Sequence, residues 1–264
     1  MLEENIECRK AALDWLCESD ACSKAAGVLA LGKNPSVLVE PATRLTTSAT
    51  IPGRPLKPEL VGPLALPKRS MRTIDGRAAL IHALAHIEFN AINLALDAIW
   101  RFADMPENYY LDWLKVAAEE AYHFSLLNAH LQSIGYEYGS FSGHDSLWEM
   151  VDRTKDDVLA RMALVPRTME ARGLDASPQL YNKFVQIGDL KMGEILTIIL
   201  RDEIGHVAIG NVWFNWLCQQ RQLEPIATFE SLRAQYAAPK LRPPFNMEAR
   251  RQAGFSEAEL ALLN

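Results

Sequence analysis

From about residue 75 to 221 the chain runs in long stretches rich in Ala, Leu, Ile and Glu with few breakers, and this constrains its fold more than any other feature. Apolar residues recurring three and four positions apart mark helices, and glycine or proline marks their ends. The spacing predicts four: helix A over about 75–103, ending before Pro106; helix B over about 108–134, ending at Gly135; helix C over about 146–172, ending at Gly173; and helix D over about 179–221. The A–B and C–D joints, about five residues each, suit antiparallel neighbours. The segment from Gly135 to Asp145 has 11 residues. Fully extended it reaches about 36 Å, close to the ~37 Å of a helix of about 25 residues. A bundle with one long crossover and an up-down-up-down bundle both satisfy that length.

The flanks read differently. Seven of the 14 prolines lie between Pro35 and Pro67, which forbids regular helix there and predicts an extended strap. Before it, residues 3–31 predict two short helices separated near Ser19-Asp20, where a cap can start the second. After helix D the chain is again expected to be a strap, irregular around Pro239, Pro243 and Pro244 and closing in a short helix at Ser256–Leu260. The expected organisation is 1–74 as short helices and strap, 75–221 as bundle and 222–264 as a second strap packed on it, together one structural domain.

A chain of 264 residues, 49% hydrophobic and 23% charged, buries a core of its own. Its net charge of -6 and pI near 5.6 argue against dedicated binding to bulk nucleic acid. Cys8, Cys17, Cys22 and Cys218 form no Cys-x-x-Cys pair and read as reduced thiols. The start, Met1-Leu2-Glu3-Glu4-Asn5, is acidic where a signal peptide is basic, and no stretch reaches 18 uninterrupted apolar residues. A cytoplasmic protein without a membrane partner is expected.

Glu120-Ala121-Tyr122-His123 on helix B and Glu203-Ile204-Gly205-His206 on helix D are two copies of Glu-x-x-His, whose ends project from one helical face. With 20 Glu and six His in the chain, chance supplies roughly half a copy, so the residues upstream decide the matter. Glu88 precedes Glu120 by 32 positions, and Glu170 precedes Glu203 by 33. Each sits where an apolar face belongs: Ile81, Leu84, Ala85, Ile92, Ala95 and Ile99 flank Glu88, and Trp113, Val116, Ala117, Phe124 and Leu127 flank Glu120. Leu196, Ile199, Val207, Gly210 and Phe214 do so for Glu203. Pro166, one turn before Glu170, bends helix C and leaves the facing of Glu170 open. Bare buried carboxylates are very costly. Four of them with two imidazoles match a pair of divalent ions, bridged by carboxylates and completed by the histidines.

Ligating imidazoles need an acceptor for their free N–H. Glu119 precedes one pair and Asp202 the other; approximate two-fold symmetry sets Asp202 against His123 and Glu119 against His206. Other polar residues read more plainly. His82 and His86, four apart, lie off the Glu88 face and suit structural roles; His130 suits helix packing, His144 a solvent-facing loop, and Glu194 an exposed face. Trp213, Phe214 and Trp216 suit the core, and Tyr122 suits packing against a neighbouring helix. Basic residues gather in the straps: Arg54, Lys57, Lys68, Arg69 and Arg72 in the first; Arg233, Lys240, Arg242, Arg250 and Arg251 in the last. A solvated surface is one reading. The other is a cover selecting an anionic, nucleotide-like substrate, with Lys240 and Arg242 as candidate contacts.

With a Glu and a Glu-x-x-His in each half, residues 75–221 resemble the carboxylate-bridged dinuclear-metal members of the ferritin-like superfamily. The whole chain more closely resembles an uncharacterised bacterial ferritin-like family, domain-of-unknown-function family 455. The residues carrying that likeness are His86-Ile87-Glu88, Met169-Glu170-Ala171-Arg172-Gly173-Leu174-Asp175, Arg201-Asp202-Glu203-Ile204-Gly205-His206 and Pro239-Lys240-Leu241-Arg242-Pro243-Pro244-Phe245-Asn246. Kinship of that family with tRNA-hydroxylating di-iron enzymes implies an all-α ferritin-like four-helix bundle and a di-iron oxygenase or oxidase of unidentified substrate. Radical-generating ribonucleotide reductase subunits, which share the pattern, carry a tyrosine four residues after the helix B histidine; here Leu127 stands there, which argues against a stable tyrosyl radical.

The expected activity is therefore O2-dependent oxidation or hydroxylation of a small organic substrate. It would use two divalent ions, Fe first and Mn or a mixed Mn/Fe pair next, and an electron donor. A non-catalytic metal-handling protein is the alternative from another class, and a dizinc hydrolase a third. The sequence leaves the oligomeric state open.

Overall fold

Glu7 accepts the backbone N–H groups of Arg9 at 3.0 Å and Lys10 at 2.6 Å, and so starts α1 (Cys8–Cys17). Asp20 starts α2 (Ala21–Gly32) by accepting from the Ser23 N–H at 2.7 Å, so the cap expected near Ser19-Asp20 is Asp20. These details come from a computed structural model that describes residues 5–67 and 69–263. The Met1–Glu4 start and Lys68 of the first basic cluster lie outside the described residues. By its internal contacts the chain divides into two compact units, residues 1–148 and 149–264.

The first unit centres on a helical hairpin. Thr73 caps α3 (Ile74–Arg101) by accepting from Gly76 at 3.1 Å; Asp75 in the first turn and Arg101 in the last complement the helix dipole. Five residues later Pro106 precedes α4 (Glu107–Ser133), and Gly135, with a φ of 85°, ends it. α3 packs along α4, with α1 against α3 and α2 against α4. At Gly32 a Cβ would come within 2.5 Å of the Ala118 side chain, so α2 reaches α4 only with glycine there. By length and composition α3 could cross a membrane, and 72% of its apolar window is buried within the fold.

The Pro-rich strap is irregular as expected, apart from a 3-10 turn at Pro63–Ala65 and two-residue strands β1 (Ile6–Glu7) and β2 (Val37–Leu38), which pair in parallel. Buried cations tie it down. Arg9 donates to the carbonyls of Ile99 (3.3 Å) and Trp100 (2.8 Å) at the end of α3, and to those of Glu40 (3.1 Å), Pro41 (3.0 Å) and Thr43 (2.6 Å) in the strap. One guanidinium thus satisfies carbonyls left over by a helix end and by an irregular segment. Lys24 does the same on the other side, donating to Asn93 Oδ1 at 2.6 Å, Gly53 O at 2.9 Å and Leu16 O at 3.3 Å. The segment after α4 also returns to the hairpin. Gly143 exchanges backbone hydrogen bonds with Glu59 and Val61, and a Cβ on it would meet the His86 ring at 2.7 Å.

Helix C does not exist as one rod ending at Gly173. α5 (Ser146–Arg153) runs across the division between the units, and Asp157 then restarts the chain as the cap of α6 (Val158–Leu164). A π-helical segment, Val165–Glu170, follows, with Pro166 near its start, and leads directly into α7 (Ala171–Gln186). Proline lacks the N–H that a regular helix would use, and a π turn absorbs the mismatch. α7 passes through both Gly173 and Pro178. Asn246 Nδ2 donates at 3.2 Å to Leu174 O, the carbonyl that Pro178 leaves without its N–H partner, and Ser177 Oγ adds a bond to Gly173 O at 2.7 Å.

The real seam is Gly188, with a φ of 82°, followed by Asp189, which caps α8 (Leu190–Gln220) by accepting from Met192 at 3.0 Å. Helix D therefore starts at residue 190, not near 179. The C-terminal part keeps the expected irregular stretch around Pro239, Pro243 and Pro244 and the expected short closing helix, and adds two helices that were not expected. Glu224 caps α9 (Pro225–Gln235), Asn246 caps α10 (Met247–Gln252), and a capping box of Ser256 and Glu259 starts α11 (Glu257–Ala261); the long stretch between α9 and α10 is irregular. Ala249, Ala253, Phe255 and Leu260 of this region close a core with Ala171, Leu174 and Val207. The secondary structure is that of an all-α helical bundle protein.

Candidate metal centre

In the first unit, α3 and α4 bring three of the expected ligands together. Glu88, Glu120 and His123 are buried at 4%, 0% and 0% exposure, and each offers a donor atom within 4.8 Å of the other two. His123 Nδ1 lies 3.3 Å from Glu88 Oε2 and 3.4 Å from Glu120 Oε2. The walls are apolar: Ile81, Ala85, Ile92, Val116, Ala117 and Leu127 are fully buried. Burial, and then the charge of Glu120, push the Glu88 carboxyl up to about 8, against which the His123 hydrogen bond works. At neutral pH such a cluster either takes up a proton or holds a cation. Two carboxylates and an imidazole are a donor set that divalent Fe, Mn and Zn all accept.

The second unit holds the other three. Glu203 and His206 lie one turn apart on α8, both buried, with His206 Nδ1 3.6 Å from Glu203 Oε1. Glu170, 8% exposed, is the last residue of the π segment. α7 meets α8 there: the vacant side-chain position of Gly173 lies 3.9 Å from Glu203 Oε2. One turn further along α8, a Cβ at Gly210 would sit 2.4 Å from the Pro166 ring, so glycine lets the π segment seat on α8. Gly173, expected as a helix end, is thus a close-approach residue inside a helix.

The acids next to these pairs have partners of their own. Glu119 lies 3.9 Å from Lys115 Nζ. Asp202 accepts from Arg201 Nε at 2.7 Å and Nη2 at 3.0 Å. His82 and His86 are buried and structural. His82 Nε2 accepts the Gly139 N–H at 2.9 Å and its ring stacks on Tyr138; His86 lies 2.8 Å from Tyr138 Oη and 3.0 Å from His144 O. Burial pushes both rings down to about 4. His130 and His144 are half-buried, so His144 does not face solvent fully. Glu194 is exposed and paired with Lys191. Trp213 and Phe214 are buried, with Trp216 half-buried against Trp213. Tyr122 is not packed away: it is 42% exposed.

Four of the basic strap residues are paired within the chain. Arg54 pairs with Asp145 at 2.6 Å, Arg233 with Glu230 at 3.0 Å, and Arg251 with Glu257 at 2.6 Å and Glu248 at 3.1 Å. Arg250 is buried in a two-pronged pair with Asp175, at 3.0 and 2.6 Å. Lys240 and Arg242 are exposed on the irregular stretch between α9 and α10. Sequence reasoning missed Arg9, Lys24 and Arg167 as buried cations, because a charged residue on an amphipathic helix ordinarily points to water. It also missed Tyr138, which no periodic pattern marks.

Residues 15–261 match the model of a family described as "Protein of unknown function (DUF455)". A protein of Haemophilus influenzae described as "Uncharacterized protein" is 51% identical over 213 residues, which cover 78% of this chain and 74% of that one. No solved structure matches the chain.

Proposed function

The chain belongs to the DUF455 family, and we propose that it is a ferritin-like dinuclear metal protein that uses O2 to oxidise an organic substrate. Glu88, Glu120 and His123 of one unit, with Glu170, Glu203 and His206 of the other, would hold two divalent ions. The observation that carries this reading is the burial of Glu88, Glu120 and His123 within 4.8 Å of one another among apolar walls. A cation offsets the cost of confining two carboxylates there. The second triad repeats the residue types and the spacing, 33 positions against 32.

Bound iron would supply the capacity to reduce O2 and oxidise an organic C–H or C–O bond. The chain's own residues do the rest. The carboxylates would fix the ions, Asp202 and Glu119 would orient His123 and His206 by accepting their non-ligating N–H groups, and the fully buried Ile81, Ile92, Val116 and Leu127 would exclude water. Lys240 and Arg242, the exposed cations of the stretch before α10, are the proposed contacts for an anionic substrate. Comparable turnover of anionic and neutral substrates by the Arg242→Ala variant and the parent would dismiss that assignment.

Anaerobic Fe(II) titration of metal-free protein, followed by O2, tests the main reading. Binding of about two equivalents, with an oxidised chromophore lost in Glu120→Ala, is the expected result. Stoichiometric iron that does not react with O2 would replace an oxidase with a metal-handling protein.

A further inference from the structure

The second unit contains a partly open cavity of about 340 Å³ lined by the π segment, α9, the irregular stretch before α10, and α10 and α11. Its volume falls in the ~300–1,000 Å³ range of small-ligand sites. The wall is unusual in pairing aromatic rings with guanidinium groups. Arg167 is 1% exposed; its guanidinium lies over the rings of Phe214 (4.1 Å), Phe229 (4.6 Å) and Phe255 (5.3 Å). Arg167 Nε donates to Asn211 Oδ1 at 2.5 Å and Nη2 donates to Glu259. Its Nη1 is buried and has no partner among the described residues; the same is true of Arg233 Nε. Native proteins rarely leave buried charged donors unused, because each costs about 1–3 kcal/mol or more.

We infer that this cavity is a binding site for a small amphipathic carboxylate, with its apolar body among Phe229, Phe245 and Phe255 and its head at Arg167 and Arg233. Charge sets the valence of the ligand. Arg167, Arg233, Lys240 and Arg250 face Glu230 and Glu259, and Asp175 neutralises Arg250 from behind, so one positive charge remains. A singly charged head balances it, and a phosphate dianion overshoots. A planar carboxylate also suits the two buried guanidinium N–H groups without a partner, Arg167 Nη1 and Arg233 Nε, on the wall of this one cavity. The site lies wholly in the second unit and does not rest on the metal reading. Arg167 and Glu170 share the π segment.

Calorimetric titration of the full chain with 4-phenylbutyrate, its neutral amide and acetate tests the inference, in metal-loaded and metal-stripped protein alike. The carboxylate is expected to bind with a Kd of about 1 mM or tighter, and the amide and acetate about tenfold more weakly. Arg233→Gln and Lys240→Ala, both outside the buried core, are each expected to weaken the carboxylate about tenfold while unfolding cooperatively like the parent. Equal affinity for the amide, unchanged affinity in both variants, or no binding up to about 10 mM would overturn the inference. So would binding that appears only in the metal-loaded protein, which would put the carboxylate on the metal.

Discussion

At the scale of single residues the fold is ruled by what it does with buried charge. Glu88 is the clearest case: its carboxyl is raised to about 8, so the folded metal-free chain keeps a proton there that the unfolded chain releases near 4.5. Stability of the metal-free protein should therefore fall as pH rises from about 4.5 to about 8. Because a metal ligand must be ionised, ion binding at pH 7 should release about one proton, and affinity should climb with pH up to about 8 and then level. Titrations in buffers of different ionisation enthalpy measure that proton. Replacing Glu120 by Gln removes the second cause of the Glu88 shift. This variant should raise metal-free stability at pH 8 by about 1–2 kcal/mol and abolish metal binding, a trade seen in urea unfolding with and without metal.

His82 behaves in the opposite sense. Burial, and then the neighbouring His86, depress its ring to about 4 against an ordinary 6.5, and its Nε2 accepts the Gly139 N–H. The stability this gives is complete above pH 6.5 and is lost as pH falls toward 4, a span of up to roughly 3 kcal/mol. His82→Gln should flatten that acid limb in urea unfolding between pH 7 and 4.5. An unchanged slope would show that His82 titrates normally.

At the scale of elements, periodicity made α3, α4 and α8 legible, since each carries a long apolar face interrupted only by the candidate ligands, and Thr73 and Asp189 cap α3 and α8. It failed where glycine and proline do something other than end a helix. Gly173 and Pro178 read as a seam, yet Asn246 satisfies the carbonyl that Pro178 leaves without its N–H partner, and the chain stays helical until Gly188. Asn246 is 68 positions away from Pro178, beyond the reach of any local pattern. α9 was signalled by Glu224-Pro225, an acidic cap before a first-turn proline, but the prolines that follow obscured it. The Pro-rich strap was legible as irregular, and its anchor was not. Arg9 ties three of the strap's carbonyls to the two at the end of α3, five acceptors in all. Arg9→Met should cost about 3–5 kcal/mol, read as a fall in the urea midpoint, because five carbonyls lose their donor at once. A loss below about 1 kcal/mol would mean that water replaces it readily.

At the scale of the whole molecule the two compact units each carry a Glu and a Glu-x-x-His, and the candidate residues were legible because they break an apolar face in the same way twice. The π segment before α7 explains why Pro166 does not displace Glu170 from burial: the extra residue in the turn resets the face. In the proposed function the two triads would hold one pair of ions rather than two separate ones. X-ray absorption at the iron edge of protein loaded with two equivalents of Fe(II) and oxidised tests it directly. The account predicts an iron–iron vector at about 3.5–4 Å or shorter, lost in both Glu120→Ala and Glu203→Ala. Two irons with no such vector, or a vector surviving either substitution, would contradict it.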